Sequence, residues 1–146
     1  MLFCSFAMQS SAQEIYEEVK NILVSYETEK NDTLKNIELR KIATFKYDAI
    51  YYMLLKTEGE TERELGNQVA SMIDFVNLFL ERVNETRKDK NKKELVVSKF
   101  KAASLEHAKY NDTDKETVYA YVDHPNFLTQ FSLDTDWVKA LEAVQQ

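Results

Sequence analysis

The sequence predicts an all-α fold: a helical bundle of about five to six helices built around a long antiparallel helix 2–helix 3 hairpin. Three observations predict it. Breakers are scarce, with two Gly and one Pro in 146 residues, which argues against a turn-rich β protein. Apolar residues recur at helical spacing through long stretches. The polar segments between those stretches carry helix-capping chemistry. A chain of 146 residues can bury a self-sufficient core. The expected organisation is a signal-peptide remnant at 1–12 and a single helical domain at 13–146.

The opening "MLFCSFAMQSSA" supports two readings. Leu2 to Met8 is an apolar run too short to cross a bilayer as a helix. Ser10-Ser11-Ala12 puts small residues where a signal peptidase reads, so cleavage is expected after Ala12. The usual positive residue after Met1 is missing, and a start codon further upstream would supply it. A lipoprotein reading centred on Cys4 fails because Phe3 is too bulky for the position before a lipidated cysteine. Ser11 with Glu14 also fits a capping box that opens a helix. Residues 1–12 hold no charge and the only cysteine. That step in composition favours a leader, with a buried N-terminal arm as the alternative. One cysteine makes neither an intramolecular disulfide nor a thiolate metal site.

The first helix is expected from Glu14 to about Glu29, with Ile15, Val19, Ile22, Leu23 and Tyr26 along one face. Asn31-Asp32-Thr33 supplies stop-and-cap chemistry. A second helix, roughly Thr33 to Thr57, carries two adjacent stripes: Ile37, Ile42, Phe45, Ala49, Met53 and Ala43, Tyr47, Ile50, Leu54. Together they make a wide apolar face suited to a central helix. Gly59 can end that helix in the left-handed conformation, and Thr61 with Glu64 forms the next capping box.

The third helix runs to about Arg87, with Leu65, Val69, Met72, Val76, Phe79 and Val83 in coiled-coil-like spacing. Ile73 and Leu80 widen the stripe, and Gly66 with Ala70 allows close backbone approach. A polar linker over 88–93 precedes a fourth helix from about Glu94 to Tyr110, whose less polar side is marked by Leu95, Phe100, Ala103, His107 and Ala108. Thr113 with Glu116 opens a short helix to Val122, although "TVYAYV" also suits a strand. His124-Pro125 breaks the chain. Asp134 is expected to cap a last helix that turns Trp137, Leu141 and Val144 inward.

Each candidate site has a structural counterpart. Acids at Asp112, Asp114 and Glu116, with Asp123 beyond, follow calcium-loop spacing. However, Thr117 stands where the sharp turn needs Gly, so helix capping accounts for them. His107 and His124 form no HExxH pair. Asp123 adjoins His124, so a two-His-one-carboxylate site would need the fold to bring Glu106 or His107 nearby. No Ser lies in a GxSxG turn, and the glycines of a phosphate-cradling loop are missing. The cations from Arg87 to Lys93 suit a solvated helix C-terminus. Without interleaved aromatics, in a chain of net charge −6, they do not read as a nucleic-acid surface. Asn31, Asn84 and Asn111 match the glycosylation acceptor pattern, yet each falls at a helix boundary where Asn and Thr cap.

Asp48 and Asp74 are more informative, because each interrupts a strongly apolar helix ("FKYDAIYYM" and "SMIDFVNLF"). One reading is a polar cleft between the second and third helices, made by Lys46, Asp48, Tyr51, Tyr52 and Asp74 with Tyr47. The other has each carboxylate facing solvent along a polar edge.

A leader ending in Ala-Gln followed by "IATFKYDAIYYMLLK" and "NQVASMIDFVNLFLERV" resembles small exported helical proteins of Gram-negative bacteria with no assigned function. The likeness covers the central hairpin and rests on packing patterns. It implies export, periplasmic or extracellular, and an α-helical fold, and it transfers no site residues.

Two functional classes follow. The first is an exported, non-enzymatic helical domain that binds an unknown protein partner or itself, with no cofactor, no metal, no nucleic acid and no membrane span in the mature chain. Its eight Tyr, eight Phe and one Trp exceed what a small core needs, and surplus aromatics sit at interfaces. The second is a cytoplasmic acidic binder, immunity-like or antitoxin-like, that blocks a basic partner electrostatically.

Overall fold

The computed structural model describes residues 2–56, 61–105, 131 and 135–146, with the backbone alone over 2–13 and at 38, 56 and 105. Gly59, both histidines and the segment from Glu106 to Gln130 lie outside these residues. The expected helix or strand at 117–122 and the calcium-like acids therefore lie outside them too. The fold is all-α: α1 (Leu2–Asn31), α2 (Ile37–Lys56), α3 (Glu62–Glu85), α4 (Lys90–Leu105) and α5 (Trp137–Gln145). No strand occurs among the described residues. Contacts gather the chain into two units, Met1–Val69 and Ala70–Gln146, and the N-terminal end of α3 belongs to the first.

In the first unit, α1 runs unbroken from Leu2. Ser11 is therefore inside a helix and is not its N-cap, because capping requires non-helical backbone at that position. At the other end Asp32 Oδ1 accepts from Leu34 N at 3.0 Å, and Asp32 O accepts from Lys35 N at 3.1 Å. Asp32 thereby builds a turn from its own side chain. The first bond of α2, Arg40 N to Asn36 O at 3.1 Å, lies beyond that turn, so α2 starts later than Thr33.

α1 packs on α2, and Val19, Ala43, Phe45, Ala49, Ile50 and Met53 of these two helices are buried. The wide apolar face holds through the middle of α2 and fails at its start, where Ile37 is 55% exposed. Where α3 begins, the capping box forms as expected. Thr61 Oγ1 receives Glu64 N at 3.3 Å, while the Glu64 carboxylate accepts from Thr61 N at 2.8 Å. These bonds from Thr61 hold the Glu64 carboxyl below its ordinary value. A Cβ added at Gly66 would stand 2.7 Å from Ile15 Cγ2, so this glycine does permit close approach. Ala70 is exposed and takes no part.

The second unit has an aromatic core. Phe75 meets Phe100, Phe131 and Trp137 at centroid distances of 5.0, 5.2 and 5.3 Å. Phe79 meets Phe100 and Phe131 at 5.3 and 5.0 Å. Most of these pairs are edge-to-face, which suits the ring quadrupoles. Phe75 is missing from the stripe expected for the third helix, yet its ring meets three others here. Thr135 Oγ1 donates to Ser104 O at 2.6 Å, joining the end of α4 to the approach of α5. The cap of α5 is Asp136, which accepts from Lys139 N at 3.2 Å, and not Asp134. Trp137, Ala140 and Val144 are buried, while Leu141 is half-buried.

Between α3 and α4 the expected linker is largely helix. Asp89 caps α4, its Oδ1 accepting from Lys92 N at 3.1 Å and its carbonyl from Lys93 N at 3.0 Å. Three lysines thus fall in the first turn of α4. Leu95 is 71% exposed while Phe100 is buried. Five residues along an α-helix is about 140° of rotation, so the two cannot share the inward face.

Candidate functional site

Four of the five cleft residues lie on α2 and the fifth, Asp74, on α3. Lys46 is only 7% exposed, Asp48 and Tyr52 are half-buried, Tyr51 is half exposed, and Asp74 is exposed. Positions 46 and 48 are separated by about 200° around a helix, so Lys46 and Asp48 point to opposite sides of α2. One carboxylate oxygen of Asp48, Oδ2, is buried without a hydrogen-bond partner. Tyr51 stacks in parallel on Tyr47, with centroids 6.3 Å apart.

The structure brings Lys46 to α1. Its ammonium sits over the Tyr26 ring, 5.3 Å from the centroid. Burial pushes the Lys46 amine below its ordinary value, and the nearby Glu29 carboxylate opposes that shift. The same burial raises the Tyr26 phenol, and Glu29 adds to the rise. One carboxylate therefore favours the protonated form of both groups.

Around this centre α1 and α2 exchange further cationic contacts. Arg40 Nε donates to Lys30 O at 3.0 Å, closing an otherwise open carbonyl in the last turn of α1. Lys30 Nζ lies 3.8 Å from the centroid of the Tyr47 ring, a cation–π contact at short range. Glu29 is held from the other side by Lys35, at 2.9 Å.

A shallow groove of about 420 Å³ runs beside this joint, lined by Ser25, Thr28, Glu29, Asp32 and Lys35. Its polar groups are engaged locally: Thr28 donates to Val24 O, Asp32 builds the turn, and Glu29 pairs with Lys35. Among the described residues no group of three or more His, Cys, Asp or Glu could hold a metal ion. The sequence pointed to Asp48 and Asp74 through their apolar surroundings, and to Lys46 only as a cation near Asp74. It gave no sign of Tyr26, Glu29 and Lys30 as its neighbours, because that pairing depends on how α1 lies on α2. The arrangement fastens two helices through buried and half-buried cations, and Lys46 is largely sealed from solvent.

Comparison with known protein families, with curated proteins and with solved structures finds no match for the chain.

Proposed function

We propose that the chain is an exported, non-enzymatic helical domain that binds a protein partner or a second copy of itself. One observation carries the binding part. Ile37, Tyr51 and Leu55, 50% to 63% exposed, follow helical spacing along one side of α2, with Thr44 and Asp48 between them. Large exposed side chains that share one side of a helix are the kind of surface that interfaces cover. Export is supported by the charge-free composition of residues 1–12 and by the likeness to small exported helical proteins. Among the described residues no helix is long and apolar enough to cross a membrane.

The test is sedimentation of the full chain over a hundredfold concentration range, beside a Tyr51→Ser/Leu55→Ser variant. Concentration-dependent association that weakens in the variant supports self-association. A strict monomer throughout removes it and leaves only a foreign partner. Intact mass, measured fraction by fraction from the native host, tests export: a chain starting at Gln13 outside the cytoplasm is the expected result. A second reading, a cytoplasmic acidic binder, draws on the net charge of −6 and on the continuity of α1 through Ala12. Its mark is a cytoplasmic chain that retains Met1 and captures a basic partner only at low salt.

A further inference from the structure

Three of the five cations between α3 and α4 are not where the stability of the fold asks for them. Arg87 and Lys88 follow the end of α3, where positive charge complements the helix dipole. Lys90, Lys92 and Lys93 occupy the first turn of α4, where the same dipole disfavours them. The acids beside them are committed locally. Asp89 caps α4, and Glu94 lies 3.8 Å from Lys90 in an exposed pair. Five cations and one acid thus stand between Arg87 and Lys93 in a chain of net charge −6. All except the half-buried Lys93 are exposed.

The face of α4 that continues from this corner is also unusual. Lys92, Leu95, Lys99 and Ala102 lie three and four residues apart, on one side of the helix, and all four are exposed. Leu95 is 71% exposed, an apolar side chain between two lysines. Lysine stems lie along apolar surface while their ammonium groups reach outward, so on this face Leu95 stands between two cations.

We infer that the α3–α4 corner and this face of α4 form a peripheral docking surface for an anionic lipid bilayer, with Leu95 entering the headgroup region. Charge complementarity selects the class of partner, and side-chain chemistry narrows it. Four of the five corner cations are lysine, a hydrated point charge suited to diffuse attraction; paired recognition of single carboxylates or phosphates uses arginine. A protein partner held tightly would meet Trp, Tyr or Arg anchors, and single-stranded nucleic acid would meet stacking aromatics. Neither is present between Arg87 and Ala102 apart from Arg87 and the buried Phe100. The acids nearest the corner leave it with a net positive charge: Glu85 pairs with Arg82 at 3.1 Å, while Asp89 and Glu94 offset only Lys92 and Lys90, each at 3.8 Å; charges further away than about 10 Å are screened at 0.1 M salt. This surface is independent of the exposed face on α2.

The test is co-sedimentation of the full chain with vesicles of phosphatidylcholine alone and with a quarter phosphatidylglycerol, at low and at raised salt. Binding is expected only to the anionic vesicles and is lost as salt rises. Each neutralised cation should weaken it about fivefold, so Lys88→Gln/Lys90→Gln/Lys92→Gln should lose about a hundredfold. Leu95→Ser should weaken it several-fold. Circular dichroism confirms that both variants keep the helical fold. No binding to anionic vesicles at low salt overturns the inference, as does binding that survives in the triple variant. Equal or tighter salt-sensitive binding to poly-glutamate or to an oligonucleotide reassigns the corner to a soluble polyanion and overturns it too.

Discussion

A lysine that is 7% exposed sits uneasily in a helix interface, and Lys46 shows how one chain accommodates it. Taking its charge out of water is costly, and the Tyr26 ring and the field of Glu29 offset only part of that cost. Its amine is displaced downward, chiefly by burial, so the folded chain releases this proton at a lower pH than the unfolded chain. Between the two values the unfolded state holds more protons, and stability rises with pH. Below that window the burial cost is constant. Tyr26, displaced upward, acts in the opposite sense only above its ordinary value of 10.0. Replacing Lys46→Met keeps the stem and removes the charge, while Lys35 still holds Glu29. The expected result is that the alkaline rise in stability is abolished, as read by urea titrations at several pH values. A loss of 2 kcal/mol or more would show that the charge is needed in place.

At the scale of elements, what was legible in the sequence depended on how local the cause was. The Thr61–Glu64 box spans four residues and forms as read. The start of α4 was misread because lysines next to Asp89 looked like a solvated linker, although an aspartate before a helical run is itself an N-cap. The same error of register put the cap of α5 at Asp134 and not at Asp136. The site was less legible still: the sequence offered Lys46 as a cation near Asp74 and gave no sign of its burial, because its neighbours Tyr26 and Glu29 come from α1. Gly66 is an intermediate case, since its spacing suggested close approach and the structure supplies the partner. In an exposed helix interior Gly→Ala stabilises by about 1 kcal/mol. Here the new Cβ would lie 2.7 Å from Ile15 Cγ2, a branch methyl that cannot swing aside freely. Gly66→Ala should therefore destabilise, by about 1 kcal/mol, and should become neutral or stabilising in an Ile15→Ala background. A double-mutant cycle with no coupling would place the close approach in doubt.

For the whole molecule, scarce Gly and Pro and long helical periodicity were enough to give an all-α fold, because fold class is a property of averages. The same averages do not say where the aromatic residues lie: Tyr16 and Tyr51 are exposed. Aromatic abundance suggested surplus surface, yet Phe75, Phe79, Phe100, Phe131 and Trp137 are all buried together in the second unit. The first unit is largely aliphatic inside, with Phe45 as its one buried aromatic among the described residues. Core and interface roles make opposite demands on a substitution, which allows them to be separated. Phe75→Ala removes a ring that touches three others and should cost about 3–5 kcal/mol, a large share of the 5–15 kcal/mol, roughly, that holds a domain folded. Leu55→Ser changes an exposed side chain, 63% accessible, and should leave stability within about 0.5 kcal/mol. Denaturant midpoints measured at low protein concentration read the first effect; sedimentation at high concentration reads whether Leu55→Ser reduces association. If Leu55→Ser destabilises the isolated chain as much as Phe75→Ala, then α2 is covered by the chain's own residues in solution, and the binding face must be sought elsewhere.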